Sequence, residues 1–477
     1  MSDIHKYFKT FHLNRQFYAY TVLCLVVMLT CLMGILSRPA NLLAFFWPAN
    51  AVLLGMFLRL PQLNNTGGWL GAFSGYILAD LITGNSLVLT LFLTVSNIIT
   101  VSVSLFFIYL TRLNYRNYNK GFTFLYLFSI CALAGCFASA LFAVNTIPYA
   151  PNTFMSPDRK WIDFGMWWTG EIINCITILP LILAFPARAE FHHFFTKDLP
   201  KISFVHLLPL FAIIISVIFT HIFFGPGALL YPLAAMIWAA LTYRLFSLTI
   251  VNSIVCLVTY HSLTSFYLSE SSDAYFSTAI SVRIGLCMLG LAPLVLAIIS
   301  SNRQELYQRV LYMANHDSLT KAMNRHSFFE QGEKLIKNSK SQPLTAIMMD
   351  IDHFKKMNDQ YGHHTGDLVL QNFADQVRTC LRSEDLFARI GGEEFIILLS
   401  CTEEYQAHQI AERIRQVIES TPVHQQEKPD IYITVSIGVA KQNPDDPVLQ
   451  HLVNTADQAL YQAKSQGRNQ VMIASFH

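Results

Sequence analysis

Long apolar stretches fill the first 300 positions of the chain, and after them the apolar residues break into short, alternating runs. The first pattern predicts helices near 17–36, 42–58, 68–84, 87–110, 122–144, 164–185, 204–224, 226–243, 247–268 and 278–299. Most approach the roughly 20 residues needed to cross a bilayer. Three of them (42–58, 68–84 and 226–243) are short or marked by Gly and Pro, so the count of about ten spans carries a margin of about two. The second pattern alternates strand and helix. Leu344–Ile351 is an apolar run fit for a buried strand. Leu386–Ile390 and Phe395–Leu399 flank a glycine turn and read as a hairpin. Tyr432–Ala440 and Val471–Ala474 are further strands, and 368–381, 403–420 and 452–464 have helical spacing. The expected fold is a polytopic α-helical membrane domain (1–300), a connecting helix (301–316) and an α/β cytoplasmic domain (317–477) with a sheet of about five strands covered by helices. In the connecting helix Leu306, Val310 and Met313 are spaced four and three apart, as in a coiled-coil seam.

Composition sharpens this division. The 477 residues are 53% hydrophobic and 13% charged, about half the charge of a soluble domain. Residues 1–301 hold 15 Lys/Arg and 9 Asp/Glu, and the remainder holds 18 and 22. The first part is +6 and the second −4, a poor balance for binding nucleic acid. With the N-terminus inside, Lys6, Lys9, Arg15, Arg59, Arg112, Arg116, Lys120, Arg188, Lys197, Lys201 and Arg244 face the cytoplasm, against Arg38, Arg159 and Lys160 outside. That bias supports an inside N-terminus and an inner-membrane protein whose C-terminal domain is cytoplasmic. No cleavage site follows the first apolar segment, so a removed signal peptide is not expected. The nine cysteines form no C-x-x-C pair, so no cysteine metal site is expected.

Asp80, Asn97, Glu171, Asn174, His221, His261 and Arg283 fall at membrane depth, where ionisable groups are costly and mark either a ligand site or helix–helix hydrogen bonds. Phe46-Trp47-Pro48-Ala49-Asn50-Ala51-Val52 resembles the Trp-Pro signature of the first class of MASE-type integral membrane sensor domains. Trp167-Trp168-Thr169-Gly170-Glu171 with Leu179-Pro180-Leu181 resembles a later segment of that family, with Glu171 where an Asp is expected.

The C-terminal chemistry begins with carboxylates. Asp350 closes the first strand, with Asp352 after it, and Glu393 and Glu394 sit at the hairpin tip. Pairing of the hairpin with that strand would bring them together as oxygen ligands for magnesium holding a nucleoside triphosphate. Gly391-Gly392-Glu393-Glu394-Phe395 is the GGEEF form of the GGDEF signature of diguanylate cyclases. Asp317-Ser318-Leu319-Thr320 with Asn324-Arg325, Asp350-Ile351-Asp352-His353-Phe354-Lys355, Asn358-Asp359, Gly362-His363 with Gly366-Asp367, Ala456-Asp457 through Lys464, and Gly467-Arg468-Asn469 resemble that family in order and spacing.

The resemblance implies roles. Asp350 and Glu394 ligate magnesium (two ions per active site, with manganese as the alternative), helped by the Ile351 carbonyl. Glu393 is a ligand or the base for a ribose 3′-hydroxyl. Asn358 and Asp367 read guanine. The amides of Phe354 and Lys355 cradle phosphate, and Lys464 and Arg468, one helical turn apart, neutralise the outer phosphates. Arg382 and Asp385, with Arg413 in support, form a product-inhibition site. The implied activity joins two GTP into cyclic di-GMP and two pyrophosphates. It requires two catalytic domains facing each other in a homodimer, is inhibited by its product and is regulated by the membrane domain. The alternatives are a non-enzymatic receptor for cyclic di-GMP or GTP with a degenerate cyclase domain, against which the intact signature argues, and a transporter.

Overall fold

The computed structural model describes all residues except 1, 38–45, 152, 187–203, 224–226, 268–271, 339–342, 426–427, 444 and 475–477, and only the backbone of 2–13, 264–267, 272–275, 338, 425 and 428. Positions 42–45, 224, 226 and 268 of the expected helices lie outside the described residues, as do Arg38, Arg188, Lys197, Lys201 and the side chains of Lys6 and Lys9. The chain divides into two compact units, Met1–Gln304 and Glu305–His477.

The N-terminal unit is helical. Among its described residues and the helix that leaves it, seven helical segments are long and apolar enough to cross a membrane: Asn14–Leu36, Leu87–Leu110, Thr123–Tyr149, Pro157–Ala184, Phe204–Ile222, Leu245–Leu263 and Phe276–Asn315. The three Gly- and Pro-marked segments of the expected ten form the shorter helices Ala49–Arg59, Thr66–Ile82 and Leu233–Thr242, of 11, 17 and 10 residues. Pro48 and Pro232 stand at the starts of the first and third. A proline has no N–H to give a preceding turn, so the helix begins there rather than earlier.

The middle helix keeps its expected length of 17 residues and is distinguished by its packing. Gly67, Gly71 and Gly75 lie on one face of Thr66–Ile82, where a Cβ would fall 2.2, 2.3 and 2.6 Å from the carbonyl oxygens of Gln16, Tyr20 and Cys24. Small residues four apart let two helix backbones meet directly. Residues 123–146 form one apolar rod as expected, with a π-helical stretch at Cys131–Cys136. Asp80 accepts a hydrogen bond from Asn85 (3.1 Å) just past the end of its helix, and His221 pairs with Ser262 at 2.5 Å.

The helix Ser272–Asn315 runs from the first unit into the second, and Leu306, Val310 and Met313 are exposed on it.

The C-terminal unit is a sheet covered on both faces. Its strands are β1 (Met323–Asn324), β2 (Leu344–Ile351), β3 (Leu386–Gly391), β4 (Glu394–Ser400), β5 (Val423–Gln425), β6 (Lys428–Ile431), β7 (Val435–Lys441) and β8 (Val471–Ile473). Six of them form one sheet in the order β1-β3-β4-β2-β7-β8, and β5 and β6 form a separate hairpin. The expected sheet of about five strands therefore gains β1, which pairs parallel to β3 over two residues. All eight residues of β2 are buried. Ile347, Met349 and Ile351 enter the core with Phe373, Phe395 and Ile437, while Leu344, Ala346 and Met348 enter the opposite core with Phe328, Leu452 and Ala456. Side chains alternate across a strand, so Asp350 belongs to the face covered by the helix Leu449–Ser465.

Candidate functional site

β2 lies between β4 and β7, antiparallel to both. The register sets Asp350 opposite Glu394 on one side and Ser436 on the other. The hairpin of Gly391 and Gly392 therefore delivers Glu393 and Glu394 to the end of the strand that carries Asp350. Gly392 turns the chain at φ 49°, a left-handed conformation that glycine enters at least cost. Behind it, Arg389 donates Nε to the Gly392 carbonyl (2.8 Å) and pairs through Nη1 with Asp317 (3.1 Å). Burial pushes the Asp317 carboxyl up, but hydrogen bonds from Thr320 and Arg389 outweigh it and hold the group below the usual carboxylate range. The opening Asp-x-Leu-Thr motif thus braces the hairpin, a role that motif matching did not assign.

Asp350 is 7% exposed. Lys464, in the last turn of Leu449–Ser465, donates Nζ to its Oδ2 at 2.7 Å. Burial pushes the Asp350 carboxyl up and Lys464 draws it back, while the charges of Glu393 and Glu394 push it further, leaving it above its ordinary value. The site is thus a group of mutually repelling carboxylates with one ammonium among them. Its hard oxygen donors suit a divalent cation, although among the described residues no three His, Cys, Asp or Glu side chains are gathered into a metal-binding group.

After β2, His353 turns left-handed (φ 58°) and the short helix Phe354–Tyr361 begins. Phe354 is buried in the core, and Lys355 is exposed. First-turn N–H groups of a helix lack partners within it, so this helix start presents donors beside the acidic strand end. Asn358 follows on the same helix, its Oδ1 buried with no hydrogen-bond partner. It fits against Gly366 of the helix His363–Thr379, where a Cβ would lie 1.8 Å from that oxygen. Asp367 is exposed on the next turn.

Two expectations change. Arg468 is not one helical turn from Lys464, because the helix ends at Ser465 and Arg468 sits beyond Gly467 at φ 66°. Asp352, grouped in the sequence with the carboxylates expected at the metal, is instead taken up by structural hydrogen bonds. It is buried and accepts from Ser436 Oγ (2.6 Å), Thr434 Oγ1 (2.8 Å) and the Asn469 amide (3.1 Å). It ties β7 and the Gly467–Asn469 turn to the acidic strand end.

Away from this cluster, Asp385 Oδ2 accepts from the Arg382 amide (2.9 Å) in an exposed turn before β3. Burial pushes the Asp385 carboxyl above its ordinary value. Arg413 donates Nη2 to the Cys380 carbonyl (2.7 Å).

A mixed sheet with carboxylates at the end of its central strand, met by a two-glycine hairpin, defines a GGDEF-type nucleotide cyclase domain. The model of the diguanylate cyclase GGDEF domain matches residues 314–470. A probable diguanylate cyclase, DgcF, of Escherichia coli O157:H7 is 29% identical over 448 residues, covering 91% of this chain and 89% of its own. A second Escherichia coli protein of that name is 31% identical over 318 residues, covering 64% of this chain and 95% of its own. The GGDEF domain of DgcB from Caulobacter crescentus, solved in complex with c-di-GMP, is 31% identical, with a TM-score of 0.33 over 34% of this chain and 94% of that one. The chain belongs to the GGDEF-domain diguanylate cyclases, and it is an enzyme of the nucleotidyltransferase type.

Proposed function

We propose that the protein is a membrane-bound diguanylate cyclase that condenses two GTP into cyclic di-GMP and two pyrophosphates. The observation that carries this reading is the β2–β4 register, which sets Asp350 beside Glu394 at a strand end that also holds Lys464 and the start of the helix Phe354–Tyr361. Magnesium, held by Asp350, Glu393, Glu394 and the Ile351 carbonyl, supplies charge stabilisation on the phosphates. Lys464 leaves Asp350 for the outer phosphates, joined by Arg468 from the turn, and the Phe354 and Lys355 amides meet the same group. Asn358 and Asp367 hold the guanine edge. Glu393 accepts the 3′-hydroxyl proton as that oxygen bonds to the α-phosphorus of the facing GTP and pyrophosphate leaves.

Each catalytic unit carries one such site, so a product with two phosphodiester links requires two units facing each other, and their juxtaposition sets the rate. The N-terminal unit anchors the enzyme in the inner membrane and regulates that juxtaposition, a reading supported by the seven candidate spans among its described residues and by its resemblance to MASE-type sensors. Arg382 and Asp385, with Arg413 nearby, bind the product and restrain the dimer.

The test is cyclic di-GMP formation from GTP by the purified full-length protein. Glu394→Gln should lower it by about a hundredfold or more, with unchanged thermal unfolding, since charge stabilisation of this kind is worth several kcal/mol. Full synthesis by the variant would overturn the assignment of the site.

A further inference from the structure

The N-terminal unit forms a partly open cavity of about 50 Å³ that the cyclase chemistry does not use. Two buried charges reach it from different helices: Glu171 on Lys160–Leu183 and Arg283 on Ser272–Asn315. They are 5% and 2% exposed, yet no ion pair joins them among the described residues. Each is held from behind by neutral groups. The Asn50 amide donates to both Glu171 oxygens (2.8 and 2.9 Å) and to Asn97 Oδ1 (3.0 Å), and its own oxygen accepts from Tyr76 (2.6 Å). Arg283 gives Nε to Tyr260 Oη (2.7 Å) and Nη1 to the Met166 carbonyl (2.5 Å). Trp47, Phe154 and Trp167 complete the wall.

This arrangement orients both ionisable groups and gives neither a counter-charge. An isolated buried charge costs several kcal/mol unless a counter-charge meets it, and a carboxylate and a guanidinium at such depth would lower that cost by closing on each other. Here they are braced apart, with a cavity open to both. The complementary occupant carries one charge of each sign on a short frame. At about 10–15 Å³ per water-sized group the cavity accepts roughly four such groups, which limits the occupant to a short frame.

We propose that this cavity binds a small zwitterion, an amino carboxylate of glycine or alanine size, with its carboxylate on Arg283 and its ammonium between Glu171 and the aromatic rings. A guanidinium offers parallel donors to a carboxylate, and aromatic faces attract an ammonium. The inference concerns the N-terminal unit alone and stands independently of the reaction at the C-terminal site.

The test is titration of the purified full-length protein in detergent with glycine, L-alanine, acetate and methylammonium, read by calorimetry and by the shift in thermal unfolding. Glycine or alanine should bind saturably, with acetate and methylammonium at least about tenfold weaker, because each lacks one charge-assisted contact. Glu171→Gln keeps an oxygen for the Asn50 amide and should fold, yet bind the amino acid about tenfold or more weaker. Arg283→Lys should weaken it similarly, and Glu171→Gln decides alone should Arg283→Lys fail to fold. Absence of amino-acid binding to the unaltered protein, acetate or methylammonium binding as tightly as glycine, or unchanged binding in Glu171→Gln would overturn the proposal.

Discussion

Replacing Gly366 by alanine tests the proposed nucleotide pocket without removing any of the groups assigned to the nucleotide. The added Cβ would stand 1.8 Å from Asn358 Oδ1 and 2.9 Å from its Cγ, far inside van der Waals contact, so the Asn358 amide must swing away. In an ordinary helix the change would stabilise by about 1 kcal/mol. Here that gain is offset only by moving a side chain whose buried oxygen has no partner to lose, so the unfolding free energy should change by no more than about 1 kcal/mol. Guanine binding should suffer more. Losing one or two hydrogen bonds at a buried site costs about 1–3 kcal/mol, or roughly 5- to 150-fold in the apparent affinity for GTP. The assay is initial rate against GTP concentration at saturating magnesium, in the unaltered protein, Gly366→Ala, Asn358→Ala and the double variant. The expected result is a raised KM, with kcat changed less than about threefold. Asn358→Ala should show the same rise, and the double variant no further one, because both changes remove the same contacts. An unchanged KM in Gly366→Ala, or effects that multiply in the double variant, would refute the reasoning.

Asp350→Asn should abolish synthesis yet raise the unfolding temperature of the nucleotide-free protein at neutral pH. The raised pKa of Asp350 means that ionisation costs the folded state stability, a penalty that enters as pH climbs from the ordinary carboxylate value through the raised one and is fully present above it. The gap between variant and unaltered protein should therefore widen across that window, and a stability loss or a pH-independent gap would contradict this. Arg382→Ala should retain turnover and lose inhibition by added cyclic di-GMP, since alanine cannot stack on or donate to guanine. Equal inhibition of both proteins would remove Arg382 from the proposed product site.

The sequence disclosed what repeats with a clear period or is spelled by a motif. The apolar run of β2 and the two-glycine hairpin pointed to carboxylates meeting at one strand end if the two paired, and the β2–β4 register supplies the match of Asp350 with Glu394. Short or weakly patterned elements escaped notice. β1 spans two residues, too few to show a period. The helix Phe354–Tyr361 buries only Phe354, so it carries no apolar stripe. The helix end at Ser465 is set by the turn beyond it, where Arg468 and Asn469 take positive φ values, and this displaced Arg468 from its expected place beside Lys464. In the N-terminal unit, hydropathy located the helices, but two of them start later than expected, after Pro48 and Pro232. The cavity between Glu171 and Arg283 joins positions more than a hundred residues apart, and no local pattern connects them.

The three donors to Asp352 lie far downstream, and Asn469 is 117 residues away. At about 5–20 residues per second, a ribosome needs roughly 6–23 s to supply it after Asp352 has been made. The β2–β4 pairing forms from segments that emerge well before that. The nascent domain therefore passes through a period in which its acidic residues are aligned but the carboxylate that secures them still lacks its amide donor.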